Sequence, residues 1–181
     1  MKIQKLSKQT VNIIRTTQRN NIDLTQLADN KANVLLSLNA IMITFLLPLI
    51  LSNIDIIFQG YLYIPLIFLS ITCFSTIYIS ANVLKPSKLD EYRASPTDDP
   101  DAQFSPFFFG NFYKMEPDEF FEYMSESISD SELLHAHLTQ DLYYIGKRLG
   151  YKMDRIRLAF SIFITGLFIT FISATVVIFF L

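Results

Sequence analysis

Side chains able to do chemistry are sparse in this chain, and most of them sit beside long apolar runs. Residues 27–42, LADNKANVLLSLNAIM, place Asp29, Asn30, Lys31 and Asn33 against an apolar stretch with no turn residue between. Such a cluster can anchor to lipid headgroups, lock helix packing through a paired charge, or form part of a ligand site. GKRLGYKMDRIR at 146–157 is basic and partly amphipathic. It suits anionic headgroups, or a subset of it, Arg148 or Lys152, suits an anionic ligand. FFFGN at 107–111 has two readings as well. It is an aromatic wedge at the membrane surface, or a stacking platform for a base. In the second reading Phe109 stacks, Gly110 lets the backbone come close and Asn111 supplies a donor and an acceptor. His135 and His137 stand two apart, which on a helix turns them about 200° from one another, so they do not readily share one ion. The single cysteine, Cys73, lies inside an apolar run and reads as a small packing residue. There is no Gly-rich phosphate loop, no H-E-x-x-H and no nucleophile elbow. No catalytic residue, metal site or enzymatic activity is therefore expected.

The elements that hold these residues follow from composition. The chain is 51% hydrophobic and only 18% charged, with 17 Phe and no Trp, over 181 residues. A soluble domain of this length carries more charge. A helix needs about 20 mostly apolar residues to cross a bilayer. Three stretches qualify, at 33–52, 61–84 and 158–181, and none contains a charged residue. Pro48 and Pro65 fall near the ends of their spans, where a missing backbone donor costs least. Lys and Arg set the direction. Lys2, Lys5, Lys8, Arg15, Arg19 and Lys31 precede the first span, nine more lie between 85 and 157, and the 53–60 turn has none. The 1–32 and 85–157 segments are thus expected in the cytoplasm, with the C-terminus outside. The basic N-terminus lacks the apolar core of a signal peptide and is expected to be retained. The net charge of −2 offers no case for nucleic acid as a partner.

Ile3, Leu6, Ile13, Leu24 and Leu27 share one heptad face, so 1–32 reads as an amphipathic helix, with a break near Asn20 and Asn21 and a restart at Asp23 and Gln26 as one option. Residues 85–103 form a polar, proline-punctuated linker. Pro117 suits the first turn of a short helix. Ser129 with Glu132 matches a capping box, after which Leu134, Leu138, Leu142, Ile145, Leu149, Met153 and Ile156 mark one apolar face running into the third span. The expected fold is all-α: a polytopic membrane protein with three transmembrane helices and a cytoplasmic helical bundle continuous with them. The two amphipathic helices enter the membrane from the same side and are expected to pair through their apolar faces. Within the spans, Asn33, Ser37 and Thr44, then Thr72, Thr76 and Ser80, then Gly166, Thr170 and Ser173 form small or hydroxylated faces. Such faces pack helix on helix, or line a polar path in an oligomer.

LADNKANVLLSLNAIM, FFFGNFYKMEPDEFFEYM and DLYYIGKRLGYKMDRIRLAFSIF, in that order around three spans, resemble the Pycsar transmembrane effector family (PycTM). The matching features are Asp29, Lys31 and Ala32; Phe108, Phe109 and Gly110; then Glu119, Asp141, Tyr143 and Lys152. The resemblance implies an antiphage effector of the bacterial inner membrane. It responds to a cyclic pyrimidine nucleotide, cCMP or cUMP, made by a partner cyclase, and damages the membrane so that the infected cell stops growing or dies. No cofactor is expected beyond that ligand. Three spans are too few to enclose a pore, so a homo-oligomer is expected. Ligand-binding candidates are Lys31, Phe109, Asn111, Arg148 and Lys152. Lys31 continues the face of Leu24 and Leu27, and a coupling network of Asp29, Lys31 and Asp154 is expected at the membrane edge, with Asp154 as the partner of Lys31. The alternative is a non-enzymatic membrane scaffold whose cytoplasmic bundle binds another protein.

Overall fold

A computed structural model describes residues 8–86, 107, 112 and 115–180. Among the described residues regular structure is entirely helical, with no strand, and three helices are long and apolar enough to cross a membrane, as expected. The elements are α1 (Lys8–Ser52), α2 (Ile54–Gln59), α3 (Tyr63–Leu84), α4 (Pro117–Ser129) and α5 (Ser131–Phe180). At 1.5 Å per residue α1 and α5 are rods of roughly 65–75 Å, more than twice the hydrocarbon thickness, so each carries a polar half and an apolar half. The break entertained at Asn20 and Asn21 does not occur. No Gly or Pro interrupts 8–47, and two Asn residues, one exposed and one half-buried, cost a helix only a few tenths of a kcal/mol each. The 53–60 turn contains the short α2, and the chain enters α3 through Tyr61, whose φ of 54° lies in the left-handed region. Tyr63 sits against both Phe58 and Tyr61, with ring centroids 5.8 and 6.2 Å away.

The chain divides into two compact units. The first comprises residues 1–24 and 86–150. Pro117 takes the first turn of α4, as expected, with Asp118 and Glu119 beside it favourably placed for the helix dipole. The expected Ser129–Glu132 capping box is not the one used. Asp130 caps α5, its Oδ1 accepting from Glu132 N (2.8 Å) and Leu133 N (3.4 Å), while the Ser129 hydroxyl donates back to Ser125 O. Ser129 is still the last residue of α4, so the residue between the helices, Asp130, takes the cap position, and its carboxylate accepts from the orphan amides of the first turn.

The second unit comprises residues 25–85 and 151–181. Its surface is strongly apolar and its seam is mixed: Phe45, Phe74, Phe168 and Phe171 are exposed, while polar Asn39, Thr72, Thr76 and Ser80 are buried among small and aliphatic residues such as Ala28, Ala32, Leu35 and Ala159. That arrangement suits a hydrocarbon solvent, where helices gain from close approach at small residues rather than from hiding apolar surface. On α1 the inward stripe is Ala28, Ala32, Leu35 and Asn39. The expected face of Asn33, Ser37 and Thr44 is exposed instead, because helical periodicity turns it away from that alanine stripe. On α3 the expected Thr72, Thr76 and Ser80 are buried, together with Cys73. On α5 a Cβ placed at Gly166 would lie 2.7 Å from Thr72 Cβ and closer still to its Oγ1 and Cγ2, so Gly166 permits the approach of α3 and α5. Asn39 Nδ2 donates to Leu35 O (2.7 Å), and its Oδ1 accepts from the Thr76 hydroxyl (3.1 Å).

The expected apolar face of the N-terminal helix is not a packed one. Ile13, Leu24 and Leu27 are exposed, and Ile3 and Leu6 lie outside the described residues. On α5 the expected Leu134, Leu138, Leu142, Ile145, Leu149, Met153 and Ile156 are all buried or half-buried.

Candidate functional site

Within the first unit the inner side of α5 carries His137, Asp141, Tyr144 and Arg148, spaced 4, 3 and 4 apart, which aligns them on one helical stripe. His137 is 2% exposed and Asp141 8%; Tyr144 and Arg148 are half-buried. On α4, Tyr123 meets this stripe at His137, and Ser127, one turn further along α4, is fully buried. Phe107 closes the group from the preceding segment. The His137 ring meets Tyr123 edge-on with centroids 6.1 Å apart, and Phe107 in the same manner at 6.5 Å.

Three buried polar atoms in this cluster have no hydrogen-bond partner: His137 Nδ1, His137 Nε2 and Ser127 Oγ. More than nine in ten buried polar groups in proteins are paired, and each that is not costs about 1–3 kcal/mol. Burial pushes the His137 imidazole below its usual pKa. Near neutral pH it is therefore uncharged, offering one ring nitrogen as donor and one as acceptor. Tyr123 is pushed up, by burial first and by Glu126 second. The arrangement can hydrogen-bond a neutral polar ring between aromatic walls. Among the described residues no group of three or more His, Cys, Asp or Glu could hold a metal ion, and His135 is exposed while His137 is buried.

The second unit holds a different polar feature, at the level where its helices become apolar. Lys152 Nζ donates to Asp29 Oδ1 at 2.5 Å, with the two side chains 18% and 34% exposed. Ala28, Ala32, Val83 and Ile156 form an apolar core, with Met153 and Phe160 packed against it. The pair therefore rests on the edge of a dry contact, where it is screened less than a surface ion pair.

The expected network of Asp29, Lys31 and Asp154 is thus built differently. Asp29 pairs with Lys152, Lys31 is exposed, and Asp154 is exposed on α5 with Arg157 3.8 Å away. Lys31 and Asp154 are not brought together, since each points away from the core contact between its own helix and its neighbour. Arg148 is half-buried and already engaged. Phe109 and Asn111 lie outside the described residues, as do Phe108 and Gly110. His137, Ser127 and Tyr123 were missed as a group. The signal available was the polar stripe of His137, Asp141, Tyr144 and Arg148 on an otherwise apolar amphipathic helix.

A family model described as the Pycsar effector protein domain (PycTM) matches residues 12–180. The chain belongs to this family. The match covers α1 to α5, so it takes in both the polar cluster and the three apolar helices. Membership makes the chain a Pycsar effector, a component of antiphage defence, and with three spanning-length apolar helices it is a membrane protein. No curated protein and no solved structure gives a significant match to this Pycsar effector.

Proposed function

We propose that this Pycsar effector senses a cyclic pyrimidine mononucleotide, cCMP or cUMP, made by a partner cyclase during phage infection, and then impairs the bacterial inner membrane. The observation that carries this reading is the family match over residues 12–180, which joins a polar helical unit and three apolar helices in one domain. The polar unit is the sensor, and it faces the cytoplasm because every Lys and Arg lies on the two segments that contribute to it or border it. The apolar helices are the output, and the chain acts without catalysis. The ligand brings one phosphate charge and one flat base. Exposed Lys31 and the basic residues of 146–157 are candidates for the phosphate, and aromatic residues around 107–112 for the base. Lys152 is committed to Asp29, so its use would require that pair to open. The ligand drives the change only by binding one arrangement of the helices more tightly than another. Three spans enclose no channel, so membrane damage requires several copies.

The test is to infect cells expressing the protein with and without its cyclase and to follow membrane potential with a fluorescent reporter. Depolarisation is expected only when both proteins are present. Its absence in both conditions overturns the effector reading.

A further inference from the structure

The first unit buries a hydrogen-bonding histidine and a serine on facing helices and leaves both without partners. A histidine kept for packing alone does not need this. Phe or Leu fills such a site with no polar atom to leave unpaired, and a histidine kept for architecture normally bonds through at least one nitrogen. Nor does the group have the composition of a metal site or of a nucleophile with its base. It does have the composition of a base-recognition site: a neutral imidazole flanked by the rings of Phe107 and Tyr123, and a buried hydroxyl one turn from Tyr123 on α4, each able to donate and to accept.

We infer that the space between α4 and α5 at Ser127 and His137 is where the heteroaromatic base of the ligand is taken up, with Phe107 and Tyr123 moving to present their ring faces to it. This rests on the proposed function, which supplies a pyrimidine nucleotide as the ligand, and goes beyond it by locating the base. The base enters here rather than the phosphate, because the groups left unpaired, a neutral imidazole and a hydroxyl, carry no positive charge to hold an anion. Pyrimidines carry donors and acceptors along one edge, so they complete the hydrogen bonds that His137 and Ser127 lack. His137 and Ser127 are at 2% exposure or less, so uptake requires α4 and α5 to part. Only Asp130 separates these two helices, and α5 runs from His137 to Phe180 without a break. The ligand therefore favours one arrangement of a helix pair by satisfying groups that the other arrangement leaves unpaired, which is the differential affinity a switch needs.

The experiment measures binding of cCMP and of cUMP to the purified full chain in detergent by calorimetry, for wild type, His137→Phe and Ser127→Ala, with thermal unfolding of each. Wild type is expected to bind one of the two nucleotides. Both variants should lose at least about tenfold in affinity while melting no lower than wild type, because each removes an unpaired polar group. Affinity within about twofold of wild type in both variants overturns the site and leaves the sensing reading standing. So does a loss of affinity that comes with a lowered melting temperature in both. If wild type binds neither nucleotide, sensing by this chain falls, and the site falls with it.

Discussion

Asp29 stands two positions from Lys31 on its own helix, yet it pairs with Lys152 on another. Residues two apart on a helix point to different faces, whereas a helix packed across the Ala28–Ala32 stripe brings Lys152 to the Asp29 flank. The pair retains some solvent screening, so Asp29→Ala or Lys152→Ala should each lower stability by about 1 kcal/mol, with a similar coupling in a double-mutant cycle. Lys31→Ala should stay within about 0.5 kcal/mol of wild type. Denaturant titration of the detergent-solubilised protein checks all three. His137 predicts a pH dependence at the same scale. Its folded pKa is depressed by burial. Below about pH 6.5 the unfolded chain takes up a proton that the folded chain refuses, so stability falls as pH falls until the folded pKa is passed. Above about pH 6.5 both states are neutral and the residue contributes no slope. Melting curves between pH 7.5 and 5.5 should therefore fall more steeply for wild type than for His137→Phe.

At the scale of the element, the junction of α4 and α5 is decided by one side chain. Asp130 is extended, with φ −100° and ψ 114°, so it ends one helix and caps the next. Asp130→Ala should cost about 1 kcal/mol and shorten α5 at its start, whereas Ser129→Ala should be close to neutral. Amide hydrogen exchange over residues 131–134 distinguishes them: faster exchange in Asp130→Ala alone is expected, and equal effects would restore Ser129 as the cap. The helix before the first span follows the opposite logic. Its leucines and isoleucines looked like a packing face, but its alanines make the contact. Alanine lets two helix axes come closer than leucine does, so the Ala28–Ala32 stripe is the one against which Val83 of α3 and Ile156 of α5 pack.

For the whole molecule, the second unit depends on a seam in which small and hydroxylated residues sit among aliphatic ones. Gly166 against Thr72 is its tightest point. Gly166→Ala should lower the stability of the detergent-solubilised protein by about 1–3 kcal/mol, since the added methyl must push apart two helices in van der Waals contact. Thermal unfolding measures the loss. Thr72→Ala in the Gly166→Ala background should recover part of it, because it removes the two atoms the new methyl meets first.

The spans, their number and the all-helical class were legible from charge-free runs of about 20 residues, because a bilayer leaves the backbone few ways to satisfy its hydrogen bonds. The inner faces of α3 and of the amphipathic part of α5 were legible too, since periodicity alone aligns their residues. Which residues meet across helices was not. The Asp29–Lys152 pair joins positions 123 apart, and the Asn39–Thr76 bond positions 37 apart. No local rule relates such positions, and a rotation of one helix by a quarter turn would replace both partners. The same holds for His137. As a letter beside His135 it suggests a metal that helix geometry disfavours, and only the packing of Tyr123 and Phe107 around it leaves it buried with both ring nitrogens unpaired. Sequence settles what each helix can offer on each face; the relative rotation of packed helices, set by where small residues allow close approach, decides which of those faces meet.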